Sequence, residues 1–271
     1  MQHKRWNVLI SLISALFLMG LYGCNKSTNS NNNNTNPPTP IGKLVYDGYA
    51  YDTINIGTQT WTVANARVTH YGGVAADLIP YLQTGNLWNT NTNATPIIGA
   101  RTYWGKGGGG TAVSTADSVK FNPIFGALYN FAAASDARIA PPGWRVPSKA
   151  DFEKLINYVA SISGNKLDMV AYHLKLDKGQ GSQGVDDGRW NWYNGLKEGD
   201  NTTGFSVIPG GEINESGTYV GVGSTAIFRS TTVDGVNNSY CLFLEDKTSK
   251  ATIKSLPNKS GYSIRFVKDK Q

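Results

Sequence analysis

Hydrophobic positions divide the chain into three zones: a continuous apolar run near the start, a polar tract, and a long region in which apolar and polar positions alternate. The apolar run spans residues 8–21, which is 14 residues. A helix needs roughly 20 residues to cross a bilayer core of about 30 Å, so the run is too short for a transmembrane helix. With Lys4 and Arg5 before it, the run predicts a cleavable secretion signal.

The predicted signal ends at a cysteine, in the sequence Leu21-Tyr22-Gly23-Cys24. This ending resembles the lipobox of bacterial lipoproteins. The resemblance implies that residues 1–23 are removed and that Cys24 carries diacylglycerol, which anchors the protein to a membrane. Fatty acyl chains contribute about 0.8 kcal/mol per buried methylene, and several chains together give stable anchoring. An ordinary secretion signal with an unrelated cysteine stays open as the alternative.

The polar tract follows the cysteine and spans residues 25–40. It repeats Asn, Ser and Thr, ends in Pro37-Pro38-Thr39-Pro40, and contains one charged residue, Lys26. Such a composition cannot bury enough apolar surface to fold. Residues 24–40 are therefore predicted to be a lipidated N-terminus and a disordered linker, and residues 41–271 a single folded domain.

The first strands of the domain are predicted within residues 43–62. The Asp47-Gly48 pair lies between alternating apolar positions, which is a strong hairpin signal. Ile54-Asn55-Ile56 and Gln59-Thr60-Trp61 continue the strand pattern on either side of Gly57. From residue 72 to 116 the sequence is rich in Gly and Asn, and we expect long irregular connections there.

One helix is predicted at Lys149–Ile162. Ser148 is a suitable N-cap, and Asp151 lies three residues later, as a capping box requires. Gly164 is expected to end the helix. The apolar residues at helical spacing, which we expect on one buried face, are Phe152, Leu155, Ile156, Val159 and Ile162. Leu167, Val170, Ala171 and Leu174 have the same spacing and predict a second short helix.

Beyond residue 203 the pattern returns to strands. In the last of them Tyr262, Ile264 and Phe266 share one face, which predicts a half-buried antiparallel strand. The predicted strands are 205–208, 218–222, 226–229, 240–245, 251–255 and 262–267.

Charge and cysteine content exclude several classes of function. The net charge of +6 is diffuse, and an exported protein has little access to nucleic acid, so we expect no nucleic-acid partner. If Cys24 is acylated, Cys241 has no partner for an intrachain disulfide.

His70 and His173 lie outside any zinc-binding spacing and are expected to be partly exposed polar residues. The sequence therefore predicts no metal and no cofactor. Gly179-x-Gly181-x-x-Gly184 matches a dinucleotide fingerprint by letters only, since no clear strand precedes it and no helix follows.

An ordered set of motifs resembles the Fibrobacter succinogenes major paralogous domain over about residues 43–269. The motifs are Gln59-Thr60-Trp61, Gly126-Ala127-Leu128-Tyr129-Asn130, Ala140-Pro141-Pro142-Gly143-Trp144-Arg145-Val146-Pro147-Ser148, Thr203-Gly204-Phe205-Ser206-Val207-Ile208-Pro209-Gly210-Gly211, Arg229-Ser230-Thr231 and Gly261-Tyr262-Ser263-Ile264-Arg265-Phe266-Val267-Lys268-Asp269.

The resemblance implies an exported lipoprotein of the Bacteroidetes type, held in the cell envelope at the outer membrane. It also implies a distant similarity to C-type lectins and formylglycine-generating enzymes. The expected fold is therefore α+β: a single C-type-lectin-like domain of short antiparallel strands and long loops with one or two helices. No general biochemical activity is assigned to the family. The paired cysteines of formylglycine chemistry and the calcium-site motifs of true C-type lectins are absent from this sequence. Trp61, Tyr129 and Trp144 are expected to be core residues.

One segment is a candidate ligand site. Large aromatics stand among polar residues in a Gly-rich stretch, where sugar rings could stack on indole faces while carboxylates and amides bind the hydroxyls. The alternative is that these aromatics pack a long loop onto the domain. The candidate ligand-binding residues are Asp186, Asp187, Arg189, Trp190, Trp192 and Tyr193.

Three functions stay open from the sequence. The favoured one is a non-catalytic binding or adhesion module for a glycan or a surface protein, with its long loops as the contact face. An envelope or polysaccharide-directed enzyme would use carboxylates such as Asp186, Asp187, Glu198 or Asp200. A purely structural envelope protein is the third.

Overall fold

The computed structural model describes residues 38–105, 120, 122–176, 187–191 and 199–269. Its helices are α1 (Gly85–Thr92), α2 (Phe131–Ala134), α3 (Lys149–Ile162) and α4 (Val170–Leu174), with single 3-10 turns at Tyr71–Gly73, Ala137–Ile139 and Leu167–Met169. Its strands are β1 (Gly42–Tyr46), β2 (Tyr49–Ile56), β3 (Gln59–Thr62), β4 (Arg101–Thr102), β5 (Leu128–Tyr129), β6 (Gly210–Ile213), β7 (Tyr219–Val222), β8 (Thr225–Asp234), β9 (Asn238–Glu245), β10 (Thr252–Pro257) and β11 (Val267–Asp269). This mixture is an α+β architecture.

Two main sheets form the domain. The first has the strand order β1-β2-β3-β11 and is antiparallel throughout. The second has the order β10-β9-β8-β6-β7, in which only the β6–β8 contact is parallel. β4 and β5 make a short separate pair. The pairing of β11 with β3 brings the C-terminal strand onto the N-terminal hairpins, so the two ends of the domain lie in one sheet.

The predicted first hairpin is confirmed. Tyr46 pairs with Tyr49, and both residues between them have positive φ, 46° at Asp47 and 75° at Gly48. This is the backbone that a type I′ turn requires, and Asp-Gly is a favoured pair for it. The Asp47 carboxylate also accepts hydrogen bonds from the backbone N–H of Thr69 and of His70 and from the Thr69 hydroxyl, which fixes the turn against the following loop.

A central core fills the space between the two sheets. Trp61 of the first sheet stacks on Phe152 of α3, with ring centroids 6.0 Å apart, and meets Phe205 edge-on at 5.4 Å. Phe228 and Leu242 of the second sheet face the same cluster. The core therefore joins both sheets to α3 and α4, and Trp61 is a core residue as predicted.

The helix α3 begins and ends at the predicted residues. Ser148 accepts a hydrogen bond from the Asp151 N–H, and the Asp151 carboxylate accepts one from the Ser148 N–H, which completes the capping box. Gly164 follows with φ of 72°. Ile162, however, is 51 % exposed, so the expectation that it lies on the buried face is wrong. It lies at the last turn, beyond the edge of the core.

An outer core covers part of the opposite face of the first sheet. Tyr51, Tyr129 and Phe266 are fully or nearly fully buried in it. Tyr51 meets Phe266 edge-on at 6.1 Å, and the Tyr129 hydroxyl donates to the Val68 carbonyl at 2.8 Å. This cluster covers only one end of the sheet face and leaves the other end open.

Several sequence predictions need correction. Residues 85–92 form a helix inside the region expected to be irregular, because Thr84 caps it and Trp88 anchors it in the interior. The strand expected at 205–208 is reduced to an isolated bridge between Lys175 and Val207. The strand expected at 262–267 is regular only from Val267 onward, and it is not half-buried.

The segment 262–266 passes through the interior with both faces covered. Tyr262, Ile264 and Phe266 are buried as predicted, but Ser263 and Arg265 on the other face are also at most 3 % exposed. The Arg265 guanidinium lies over Phe205 at 4.4 Å and hydrogen-bonds the carbonyls of Phe205 and Ser206. The apolar and the polar residues of this segment therefore face two different buried environments, and neither set faces solvent.

Candidate functional site

The candidate ligand segment is described only in part. Asp186, Trp192 and Tyr193 lie outside the described residues, as does Cys24. Trp190 is 3 % exposed and belongs to the central core. Its indole N–H donates to the Val207 carbonyl at 3.1 Å, and the Lys175 ammonium lies 4.5 Å from its ring centroid. Trp190 therefore does not present an exposed indole face; it packs its loop onto the domain, which is the alternative that the sequence left open for this segment.

The polar members of the segment are nearer the surface. Arg189 Nε donates to the Asp187 carboxylate, and the Arg189 backbone N–H also donates to it at 3.2 Å. The side chains of Arg189 and Asp187 are 31 % and 46 % exposed. They form a local ion pair at the surface, separate from the buried Trp190 ring.

The carboxylates proposed for an enzyme do not form a pair in the described residues. Asp200 lies 3.0 Å from His173 Nδ1 and also accepts the Thr202 N–H. Asp187 is bound to Arg189, and Asp186 and Glu198 lie outside the described residues. His70 is paired in the same way with Asp47, at 3.0 Å. Both histidines are partly exposed, as expected, and each has a carboxylate neighbour.

The uncovered end of the first sheet carries a row of cross-strand neighbours. Asn55 of β2 pairs with Thr60 of β3, and Thr60 pairs with Lys268 of β11. Arg145 forms a bridge with Val267 at the edge of β11, so Trp144 is next to Lys268 on the same face. The Lys268 ammonium lies 5.0 Å from the Trp144 ring centroid. The row therefore runs from an indole ring through an ammonium and a hydroxyl to an amide.

This row lines a groove of about 390 Å³. We call it the Trp144 groove; its walls are Ile41, Gly42, Lys43, Leu44, Thr53, Asn55, Thr60, Trp144 and Lys268. Gly42 pairs with Thr53, and its missing side chain leaves room above the sheet. Thr60 Oγ1 donates to Asn55 Oδ1 at 2.7 Å, which holds the amide so that its NH₂ group is the free donor.

Trp144 was predicted to be a core residue, and the structure modifies that prediction. It packs against the outer core but stays half-buried at the groove. Among the described tryptophans, the others are all at most 9 % exposed: Trp61, Trp88, Trp104 and Trp190. The groove could not be seen in the sequence, because it depends on the pairing of residues 144 and 268 with strands from the start of the domain.

A second cleft of about 380 Å³ lies on the outer face of the second sheet. Ile227, Phe243 and Leu256 line its floor, and Glu212 and Tyr262 line its wall. Burial raises the pKa of Glu212, while a hydrogen bond from Tyr262 and the charge of Arg229 oppose the rise. The cleft thus combines an apolar floor with a carboxyl group that holds its proton more tightly than usual.

The part of the chain that the structure describes has neither a metal-binding cluster nor a membrane-spanning helix. Within those ranges, no three His, Cys, Asp or Glu side chains come together as a metal site would need. No helix there has the length and apolar content needed to cross a membrane. Cys241 is buried and free, and burial raises the pKa of its thiol.

Comparison with known proteins gives one match. The sequence model of the Fibrobacter succinogenes major domain matches residues 54–268. That range contains the motifs of the resemblance except for the final Asp269, and four of the groove residues, Asn55, Thr60, Trp144 and Lys268. No curated protein and no solved structure matches the chain.

Proposed function

The chain belongs to the Fibrobacter succinogenes major domain family, and from that premise we propose that it is a non-catalytic binding module of the cell envelope which binds a glycan in the Trp144 groove. The observation that carries the proposal is the half-buried Trp144 beside an open polar row on a sheet face. We further propose the C-type-lectin-like class for the fold; an experimental structure would test that assignment.

The chemistry of the groove suits a sugar ring. The C–H groups on one face of a pyranose can pack against the indole of Trp144, while its hydroxyls need donors and acceptors at the rim. Asn55 and Lys268 supply donors, and Thr53 and Thr60 supply hydroxyls. A few placed polar groups beside an aromatic wall are typical of small-ligand sites.

The groove residues come from four strands, from the residue before β1 and from the loop that carries Trp144, so the site is held mainly by the sheet. Hydrogen-bonded pairing fixes the positions of Asn55, Thr60 and Lys268 relative to one another. A site of this kind needs little rearrangement on binding, which reduces the entropic cost of association.

A glycan array probed with the whole mature chain, kept soluble by Cys24→Ser, tests the binding function. We expect retention of at least one glycan class, lost in Trp144→Ala and weakened in Asn55→Ala. Tyr158→Ala is the matched control, because Tyr158 is an exposed aromatic on α3 at 40 % exposure and lies outside the groove. Absence of any retained glycan, or equal loss in the control, would contradict the proposal.

We also propose that the module is a lipoprotein of the outer membrane, anchored through diacylglycerol on Cys24. The support is the signal-like start, the residues before Cys24 and the polar tract after it. Metabolic labelling with a tagged fatty acid is expected to mark the wild type and not Cys24→Ser. Recovery of an unlabelled wild-type protein from the medium would contradict the anchor.

A further inference from the structure

A third cavity, of about 300 Å³, has a different chemistry from the Trp144 groove. It lies beside β2 and the segment that follows β3, and shares no lining residue with the groove. Tyr49, Asn65, Arg67, Ser206 and Arg265 are among the residues that line it. We call it the two-arginine cavity, because Arg67 and Arg265 both line it.

Arg265 brings an uncompensated charge to this cavity. Its guanidinium donates to Asn65 Oδ1 at 3.0 Å and to the carbonyls of Phe205 and Ser206, none of which is a carboxylate. Burial lowers the pKa of Arg265 to about 9. A guanidinium has five N–H donors, and these three bonds leave two of them for another acceptor.

Arg67 adds a second guanidinium with spare donors. It stacks over the Tyr49 ring at 3.9 Å and donates through Nη2 to the Pro123 carbonyl. Its Nε is buried and has no hydrogen-bond partner. Asp52, the acidic residue on the cavity wall, is held by Lys43 at 2.8 Å. Within the described residues, neither arginine is therefore hydrogen-bonded to a carboxylate.

We propose that the two-arginine cavity is a second binding site, which takes the carboxylate group of a small acid or of an acidic sugar residue. A carboxylate matches the planar fork of a guanidinium and can accept two parallel hydrogen bonds from it. The stack on Tyr49 holds the Arg67 plane in place, and Arg265 lines the same cavity. The cavity volume lies at the small end of the range for ligand pockets.

Calorimetric titration of the whole mature Cys24→Ser chain with galacturonate, galactose and succinate tests this site. Galacturonate is expected to bind, and galactose, which lacks the carboxylate, is expected to bind at least tenfold more weakly. Binding of succinate as tight as galacturonate would assign the site to small acids; weaker binding would assign it to acidic sugars. Equal affinity for galacturonate and galactose would overturn the proposal.

Variants separate this site from the groove. Arg67→Gln is expected to reduce galacturonate affinity at least tenfold, with Arg67→Lys in between, because lysine keeps the charge and loses the fork. Arg138→Gln is the matched control, since Arg138 is exposed and lies outside the cavity. Trp144→Ala is expected to leave galacturonate binding unchanged. Galacturonate binding that survives Arg67→Gln with unaltered affinity would overturn the proposal, whatever happens at the groove.

Discussion

Two buried arginines, Arg229 and Arg265, hydrogen-bond several backbone carbonyls of the core. Arg229 donates to Ser239 Oγ at 2.8 Å and to the carbonyls of Pro257 and Ser260 at 3.1 and 2.6 Å. Its guanidinium also lies 4.4 Å from the Tyr262 ring centroid. Arg265 is held in the same manner by carbonyls and aromatic rings. Both belong to family motifs, so these motifs have a structural role in the core.

Replacing Arg229 by methionine is expected to lower the free energy of unfolding by about 2–4 kcal/mol. Methionine keeps much of the volume but leaves the carbonyls of Pro257 and Ser260 without a donor, and each buried unsatisfied group costs about 1–3 kcal/mol. Urea unfolding measures the change. Arg138→Met, on a side chain that is 57 % exposed, is the control and should cost at most about 1 kcal/mol. An Arg229→Met protein as stable as the control variant would contradict this role.

Asp151 is the second residue whose role can be tested, through pH. Its burial alone would raise the pKa, but hydrogen bonds from the backbone and side chain of Ser148 and the charge of Arg145 outweigh burial and lower it. A carboxyl group with a lowered folded-state pKa stabilises the fold above its unfolded pKa, and that stabilisation is lost as pH falls through the folded value. The protein should therefore lose stability below about pH 4.

Asp151→Asn is expected to lower the free energy of unfolding by about 1–3 kcal/mol at neutral pH. It should also make that free energy fall less steeply as the pH is lowered. The amide keeps a side chain of the same shape but loses the ion pair with Arg145. Urea unfolding between pH 2 and pH 7 measures both effects. Asp168→Asn, at the 3-10 turn before α4, serves as the comparison. An unchanged acid slope in Asp151→Asn would exclude Asp151 as its source.

The elements show where sequence patterns suffice and where they fail. The bounds of α3 were predictable because its cap, its apolar spacing and its terminating glycine are all local signals. The same reasoning failed for Trp190 and for the segment 262–266, because their burial comes from distant parts of the chain. The Trp144 groove was hidden for the same reason, since four strands must pair before its wall exists.

The pairing of β6 with β7 offers a test of close backbone contact. Gly211 has φ of 64°, and a Cβ there would lie 2.3 Å from the Val220 carbonyl oxygen. Gly143 also has positive φ, 77°, but a Cβ there would meet nothing within 4 Å. We expect Gly143→Ala to lower the free energy of unfolding by about 1–2 kcal/mol, because alanine is strained at this positive φ.

Gly211→Ala should cost more, at least about 3 kcal/mol, because the paired strand must also move. Thermal and urea unfolding of the two variants measures the difference. An equal loss of unfolding free energy in the two variants would contradict a steric clash between the introduced side chain at position 211 and the Val220 carbonyl.

At the scale of the whole molecule, each main sheet gives one face to the central core and leaves part of the other open. The open part of the first sheet is the Trp144 groove, and the open part of the second is the cleft lined by Glu212 and Tyr262. The family motifs mostly build the core that holds these faces, as Trp61, Arg229 and Arg265 show. Ligand choice can then vary with the residues at the open ends while the core stays the same.

The most direct measurement is a calorimetric titration of a glycan retained on the array against the mature Cys24→Ser chain and its Trp144→Ala variant. Loss of indole stacking is expected to weaken binding at least tenfold, about 1.4 kcal/mol, while Tyr158→Ala keeps the wild-type affinity. The unfolding curve of each variant confirms that the fold is intact. Equal affinity of Trp144→Ala and wild type would contradict the assignment of the groove as the glycan site.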